Sequence, residues 1–341
     1  MPVPVSMESN LFPFKLQWEY QSVIVPWEVE GYAQDAKSAQ VEGGGIFDLS
    51  FWSVIQVSGP DAKDFLQRMS TVNFNVLVPG TIVHGAFLTG RAGVVALGMF
   101  QAVSEGYHFL VSPPQGEAVH EHLEKFHFIE KLKIEDKSQD YAVLGIWNHP
   151  DWKSETPMNV HRATSNEIEF EWWQEDVRHD LIWVKVKRRL APSLLKALLS
   201  EGIKPLGCRL YEFFRIAAGI PLVGKEISDE NIILEASFDR AIARSKGCYP
   251  GQEVVERIYT YGDVNRKLLR VSLETQADSF PNAPFELSVA EKPAGKVVSW
   301  MASSQDFRKA AGLAYIRKNF LEHDGTFASS DPLLSIRREI I

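Results

Sequence analysis

Cysteine is scarce in this chain of 341 residues, which carries two, Cys208 and Cys248. Two thiols exclude a disulfide framework, and one chain cannot draw from them the four thiolates of a cluster or zinc site. A reducing compartment is expected. No uninterrupted run of about 18 apolar residues occurs, the length that a membrane-spanning helix requires. Met1–Asn10 has neither a basic start nor an apolar core, so it does not read as a secretory signal, and the first residues are expected to be disordered. Excess basic charge is also missing. The formal net charge is −8, which argues against a nucleic-acid partner, and the short basic run Lys185-Val186-Lys187-Arg188-Arg189 reads as a solvated strand end. No Gly-x-Ser-x-Gly supports a serine hydrolase. Gly43-Gly44-Gly45 lacks the strand and helix context of a dinucleotide fingerprint, and no Gly-Lys-Ser/Thr follows it, so a P-loop is excluded as well. The expectation is a cytoplasmic protein with no nucleic-acid or membrane partner.

What is present suits a globular protein of two or three domains, with 45% hydrophobic and 23% charged residues. Leu11–Gln40 is rich in aromatics without a clear period, and Gly43–Ser50 reads as a break. After it, Ser53–Ser58 alternates as a strand. Gly59-Pro60-Asp61 then opens a helix whose inward stripe is Ala62, Phe65, Leu66 and Met69. A hairpin is expected from Ile82–Leu88 and Val94–Val103 around the glycines of Thr89-Gly90-Arg91-Ala92-Gly93. A strand at Tyr107–Val111 and a helix at Gln115–Phe126 complete an α+β module. Strands follow at Tyr141–Trp147, Ile168–Trp173 and Leu181–Lys187, with an irregular polar connection between the first two. Helices are expected at Pro192–Leu199 and Cys208–Ala218. Beyond Lys267, short strands at Lys267–Leu273, Phe285–Val289, Gly295–Trp300 and Ala311–Ile316, punctuated by Pro281, Pro284 and Pro293, suggest a small closing β-barrel.

The densest chemistry lies in Lys246-Gly247-Cys248-Tyr249-Pro250-Gly251-Gln252-Glu253 and its continuation to Arg257. Gly247 and Gly251 permit positive φ or close approach, and Pro250 fixes φ before a turn. A short helix is expected over Gln252–Ile258 with Val254, Val255 and Ile258 inward. Cys248 would then lie just outside a helix N-terminus near Lys246, and both features favour a thiolate. The competing reading is a small buried hydrophobe in a glycine-rich turn. Glu235 is a carboxylate in an otherwise apolar patch, a setting that usually means a surface residue. His120, His122 and His127 have no i,i+4 pair and read as solvated surface residues, and His84 as a structural histidine with satisfied hydrogen bonds.

The motif Lys246-Gly247-Cys248-Tyr249-x-Gly251-Gln252-Glu253-x-Val255-x-Arg257 resembles the signature of the YgfZ-type proteins, folate-binding relatives of the glycine-cleavage T-protein, or aminomethyltransferase. Similar to that wider family are Phe47-Asp48-Leu49-Ser50, Val57-Ser58-Gly59-Pro60-Asp61-Ala62 with Phe65-Leu66-Gln67 and Thr71, and Leu88-Thr89-Gly90-Arg91. Arg215, Gly219, Pro221, Gly224, Glu235 and Ala236 also match, whereas Ala217 stands where the family usually has Glu. The resemblance covers roughly Gly43–Ile316 and is weakest over Asn148–Lys187. It implies an α+β, T-protein-like three-domain arrangement, with a ferredoxin-like module and a small C-terminal β-barrel around a central cavity. The division expected is 1–50 with 140–220, then 51–139 with 221–266, then 267–341.

Two departures bear on function. The family's transferases carry an aspartate on the hairpin that contacts the folate and the transferred aminomethyl group, but Gly93-Val94-Val95-Ala96-Leu97-Gly98 offers no carboxylate. Losing a positioned acid–base group costs on the order of 10²–10⁴ in rate, so ordinary aminomethyl transfer is not expected. Cys248, in contrast, resembles the mark of the YgfZ branch, which is associated with tetrahydrofolate binding and with assembly or repair of iron–sulfur enzymes. The resemblance therefore implies tetrahydrofolate, or a one-carbon derivative, as ligand, and iron–sulfur client or assembly proteins as partners. Cys248 and Lys246 would act at the rim. Glu235 would hold the pterin, Arg257 or Arg266 the glutamate tail, and Tyr249 a wall, with Gln252 and Glu253 completing the folate set. The alternative is a folate-dependent aminomethyltransferase or methylamine demethylase using Asp48 or Asp61 as its acid.

Overall fold

The computed structural model describes residues 11, 16–20, 23–40, 44–113, 115–176 and 180–339; the expectations for Met1–Asn10 lie outside them. The chain begins with β1 (Leu16–Tyr20), β2 (Val23–Glu28), α1 (Tyr32–Ser38), β3 (Gly45–Asp48), β4 (Ser53–Ser58) and α2 (Ala62–Met69). It continues through β5 (Ile82–Leu88), β6 (Val94–Val103), β7 (Gly106–Val111), α3 (Gln115–Glu124), β8 (Lys133–Asp136), β9 (Tyr141–Trp147), β10 (His161–Ser165) and β11 (Ile168–Gln174). Next come β12 (Leu181–Lys187), α4 (Ala191–Ser200), β13 (Lys204–Leu206), α5 (Cys208–Ala218) and α6 (Gln252–Tyr261). The last strands are β14 (Arg266–Thr275), β15 (Phe285–Val289), β16 (Lys292–Ala302), β17 (Lys309–Arg317), β18 (Thr326–Phe327) and β19 (Leu334–Arg338). This is a mixed α+β fold. No helix among the described residues is long and apolar enough to cross a membrane.

The chain divides into two compact units. The first takes in the described residues up to Phe87, then Val95–Tyr211 and Arg240–Tyr249, and it holds two larger sheets. One has the order β5-β6-β7-β4-β8. Residues Ala62, Phe65, Leu66 and Met69 of α2 are buried as their helical spacing predicts, and Val119 and Leu123 of α3 join them. An aromatic cluster fills the middle. Phe100 stacks on Phe109 at 4.2 Å between centroids, and Phe87 stands edge-on to both at 5.4 and 5.2 Å. Each such ring contributes on the order of 1.5–3 kcal/mol by leaving water.

The other sheet runs β10-β11-β12-β9-β3-β13, with β13 parallel to β3 and the other pairs antiparallel. Leu194, Leu195 and Leu198 of α4 pack on Ile46, Leu144, Ile146, Ile182 and Val184. Beside α1, buried Asp35 takes backbone N–H groups from Val29 (3.0 Å), Glu30 (2.9 Å) and Gly207 (3.2 Å). Its burial nevertheless raises the carboxyl pKa, against the pull of those amides.

The second unit comprises Leu88–Val94, Glu212–Asp239 and the described residues from Pro250 on. Its sheet has the order β15-β16-β17-β14-β19-β18. The two edge strands come together at Ser288 and Ala328, whose N–H and C=O groups exchange two hydrogen bonds of 2.9 Å. That seam makes a nearly closed barrel and leaves few edge groups unpaired. Val271, Leu273, Leu287, Val297, Ala314, Ile316, Phe327 and Ile336 belong to its core, so the expectation of a small C-terminal barrel holds.

Five sequence readings need correction. Gly43–Ser50 is not simply a break, because Gly45–Asp48 forms β3, buried throughout, between β9 and β13. A strand of four residues covered on both faces shows no alternation. The unpatterned stretch Leu11–Gln40 contains β1, β2 and α1, and the polar connection before Ile168 contains β10, a half-exposed edge strand. Lys185, placed in a solvated strand end, is buried on β12, while Lys187 is exposed. His122 is half-buried rather than solvated, and burial lowers its pKa.

Truncating a ring at the centre of the aromatic cluster tests this packing. Phe100→Ala should destabilise the protein by about 3–5 kcal/mol, read as a lowered urea midpoint with the slope unchanged.

Candidate functional site

The turn that carries Cys248 is anchored from its N-terminal side. Thr71 Oγ1 donates to the Ala241 carbonyl at 2.5 Å, and Ala243 N–H donates to the Thr71 carbonyl at 2.9 Å. Three residues further on, Lys246 inserts its ammonium among the carbonyls where α2 ends. It donates to Gln67 O and Val72 O, both at 2.7 Å, and to Ser70 O. An ammonium has three N–H groups, and this cage supplies one acceptor for each. Burial pulls the Lys246 pKa down to about 7, and the three carbonyl dipoles are what permit a charged group there. Lys246 Nζ also lies 5.2 Å from the ring centroid of Tyr249, which is buried. Between these two anchored side chains the Cys248 thiol is exposed, so the reading of a buried hydrophobe fails.

The second half of the motif belongs to the second unit. Gly251 precedes α6 with φ 82°, and a Cβ there would come within 2.7–2.8 Å of backbone atoms of Thr89 and Ala92. Only glycine fits, both sterically and conformationally. Of the expected inward residues, Val255 is buried, while Val254 and Ile258 are half-buried. Gln252 is half-buried, and Glu253 and Arg257 are exposed one turn apart.

Glu235 is buried, contrary to the surface reading, in a 3-10 turn over Ile233–Ala236. Its Oε2 accepts from Asn231 Nδ2 at 3.2 Å and Arg266 Nε at 3.1 Å. The Arg266 guanidinium lies 5.0 Å from the ring centroid of Tyr315. Burial, reinforced by the Glu235 charge, pushes the Tyr315 phenol upward, and its hydroxyl has no hydrogen-bond partner among the described residues. The structure thus brings Glu235 and Arg266 together as an ion pair beside an unsatisfied phenol. Of the two arginines considered for a glutamate tail, Arg266 is engaged and Arg257 is exposed.

The segment before Glu235 is held by buried charge. Arg215 donates to Glu212 and Glu226, taking Glu226 through both NH groups at 2.9–3.1 Å, and Lys225 adds a second cation on Glu212. Burial would raise the Glu212 pKa, but Arg215 and Lys225 win and hold it at about 2. The fork geometry explains arginine at this position.

A third constellation escaped sequence reasoning. His84 Nε2 lies 2.9 Å from Glu175 Oε1 and 3.1 Å from Asp176 Oδ1, while Trp183 Nε1 donates to Glu175 Oε2 at 2.9 Å. Arg240 approaches Asp176 at 3.3 Å. Burial disfavours the imidazolium, yet the two carboxylates raise the His84 pKa to about 9. Three potential ligand atoms converge here within 4.8 Å, and in its protonated form the ring donates to the carboxylates. The signal was faint: one histidine in a hairpin and a Glu-Asp pair 91 residues later. The carboxylates weighed as alternative acids are in structural use. Asp48 is buried and accepts from Ser50 N–H at 3.0 Å, and Asp61 accepts from Lys131 N–H at 2.6 Å.

The His84 cluster predicts a direction of pH dependence. A folded pKa of about 9 above the ordinary 6.5 means that the cluster stabilises fully below pH 6.5 and loses that stability as pH rises through 9. Urea midpoints of the wild type relative to His84→Gln should therefore converge between those pH values. A difference that stays constant across the window would count against a protonated His84.

Comparison with known proteins agrees with this architecture. Residues 9–148 match the model of the GCVT N-terminal domain. A chloroplastic transferase-type protein of Arabidopsis thaliana is 25% identical over 327 residues, covering 92% of this chain and 74% of that one. An aminomethyltransferase of Bacillus mycoides is 27% identical over 296 residues, covering 80% and 79%. The crystal structure of the glycine cleavage system aminomethyltransferase T from Bartonella henselae superposes with a TM-score of 0.81 at 17% identity, covering 96% of this chain and 93% of that one. Residues 9–148 are thus similar to the GCVT N-terminal domain, and the chain has the fold of the glycine cleavage T-protein.

Proposed function

We propose that the protein binds tetrahydrofolate, or a one-carbon derivative, and serves as an accessory factor in iron–sulfur cluster assembly or repair through Cys248. The observation that carries this reading is the exposed thiol of Cys248, set in a turn whose flanking Lys246 and Tyr249 are anchored. A thiol fixed by its neighbours yet open to solvent suits transfer to a partner. One exposed cysteine per chain means that a cluster would need ligands from elsewhere. The partners are then iron–sulfur client or assembly proteins, in a cytoplasmic setting.

The folate half rests on the T-protein fold together with the Glu235 cluster. The carboxylate has one oxygen held by Asn231 and Arg266, and Tyr315 contributes a hydroxyl without a partner among the described residues. A pterin needs a fixed acceptor of this kind for its ring N–H groups, plus an aromatic wall. Gln252, Glu253 and Arg257 would serve the rest of the ligand. The three larger sheets would correspond to three subdomains, 1–50 with 140–220, 51–139 with 221–266, and 267–341. Aminomethyl transfer is the weaker reading, since Val94–Gly98 of β6 carries no carboxylate and both Asp48 and Asp61 are engaged.

Titration with tetrahydrofolate, followed by calorimetry and by quenching of tryptophan fluorescence, should show micromolar binding. Glu235→Gln should weaken it on the order of tenfold, the loss of one hydrogen bond to a charged group. Cys248→Ala should bind folate like the wild type but fail to restore an iron–sulfur enzyme in cells lacking the protein. No folate binding would overturn the first half of the reading, and full restoration by Cys248→Ala the second.

A further inference from the structure

The first unit contains a cavity of about 920 Å³ that the reading above does not use. The volume falls within the range of small-molecule pockets, about 300–1,000 Å³. One wall is the face of the six-stranded sheet that carries Lys185. The other comes from β6, β7 and β4, where Gln101, His108 and Gln56 stand side by side in register. Four cations and four carboxylates line the cavity, so it carries no net charge. That balance selects against a simple anion and a simple cation alike.

The charges are not all spent on one another. Lys185 lies 3.0 Å from Glu171, Arg162 lies 3.8 Å from the same carboxylate, and Lys137 lies 3.8 Å from Asp140. Lys187 is left without an ion-pair partner among the described residues, as are Glu169 and, in the turn between β6 and β7, Glu105. Lys187 and Glu169 are neighbours. Glu171 of β11 stands opposite Lys185 of β12, and in that register Glu169 and Lys187 come two residues further along, on the same face and beyond the last ladder pair. A cation and a carboxylate are thus held side by side without closing on each other.

Hydrogen-bond donors converge beside them. Buried Lys185 donates to Gln101 Oε1, to Glu171 Oε2 and, at 3.1 Å, to His108 Nδ1, which uses the full donor set of an ammonium. His108 Nδ1 must be the acceptor, so the proton of the neutral ring sits on Nε2. The ring stays neutral because burial and then the charges of Lys185, Lys187 and Lys137 lower its pKa to about 2. His108 is only 2% exposed, yet its Nε2 has no hydrogen-bond partner among the described residues and is not fully occluded. It is a donor aimed into the cavity. The Tyr141 ring stands 5.2 Å from that of His108, and Lys187 Nζ donates to Tyr141 Oη at 2.7 Å, which leaves the hydroxyl its own hydrogen to give. Lys187, Tyr141 and His108 together suit a carboxylate, and Glu169 suits an ammonium next to it. An α-amino acid carries both groups on one carbon. Apolar lining from Ala102, Val160, Ala163 and Phe170 suits an apolar side chain.

We propose that this cavity is a separate binding site for a zwitterionic α-amino acid with a large apolar side chain, its carboxylate on Lys187, the Tyr141 hydroxyl and His108 Nε2–H, and its ammonium on Glu169. The probe is L-phenylalanine, followed on the full chain by calorimetry and saturation-transfer NMR. The comparators are 3-phenylpropionate, which lacks the ammonium, and 2-phenylethylamine, which lacks the carboxylate. The wild type should bind L-phenylalanine and bind each comparator about tenfold more weakly, the loss of one hydrogen bond to a charged group. Glu169→Gln should weaken L-phenylalanine by a similar factor and leave 3-phenylpropionate unchanged. Lys187→Gln should weaken L-phenylalanine likewise and leave 2-phenylethylamine unchanged. Both positions are exposed, and neither variant should move the thermal midpoint or the affinity for tetrahydrofolate. Absence of L-phenylalanine binding, equal binding of either comparator, or variants that weaken all three probes alike or none of them would overturn the proposal. Displacement of L-phenylalanine by tetrahydrofolate would overturn the separate site.

Discussion

The structure of the cysteine turn depends on one half-buried ammonium. Lys246 reaches the C-terminal end of α2 and satisfies one carbonyl of its last turn, Gln67 O, together with those of Ser70 and Val72 just beyond it. A cation is favoured there by the helix dipole as well as by the individual bonds. The same contact that closes the helix therefore fixes the backbone two residues before Cys248. A neutral side chain at this position would leave three carbonyls to compete for water that burial largely excludes.

Buried charge is used in the same way elsewhere. Arg215 bridges Glu212 and Glu226, Lys185 gathers Gln101, His108 and Glu171, and His84 sits between Glu175 and Asp176. Each group would be costly to bury alone. Each is instead matched donor for acceptor, and that matching fixes the rotamers around it. In the Lys185 cluster it goes further and fixes a tautomer, which turns a histidine edge into a donor. At Glu235 the matching stops short, because one carboxylate oxygen and the Tyr315 hydroxyl are not consumed by Asn231 and Arg266. In the folate reading proposed above, that spare capacity is what a ligand would use.

Much of the fold was legible because local pattern and tertiary role coincide in it. The stripe of α2 and the strands Ile82–Leu88, Val94–Val103 and Tyr141–Trp147 fall where their periodicity puts them. The barrel was legible from short strands and prolines. What stayed hidden was short or buried on both faces, as in β3 and β13, or polar at an edge, as in β10. Within the candidate site, Cys248 and Gly251 could be singled out because their neighbours are unusual in sequence. Glu235 could be named as a carboxylate, but its burial and its pairing with Arg266 could not. Lys185 shows why: in sequence it belongs to a basic run and shares a strand face with Lys187, and only its place inside β12, with Lys187 at the strand's end, leaves the one buried and the other exposed. The pairing of His84 with Glu175 joins distant segments, and no local signal marks it.

The Asp35 carboxylate binds the Gly207 amide across 172 positions of sequence, and β3 lies between β9 and β13. The six-stranded sheet therefore cannot be completed during synthesis until residue 206 has left the ribosome. The five-stranded sheet draws all its strands from Ser53–Asp136 and has no such wait. Translation imposes an order in which β3, made before any of that sheet, must stay unpaired while its neighbour folds. For a nascent chain, Gly45–Asp48 is without its partner β9 until Tyr141 is made, about 90 residues later and on the order of ten seconds at about 5–20 residues per second.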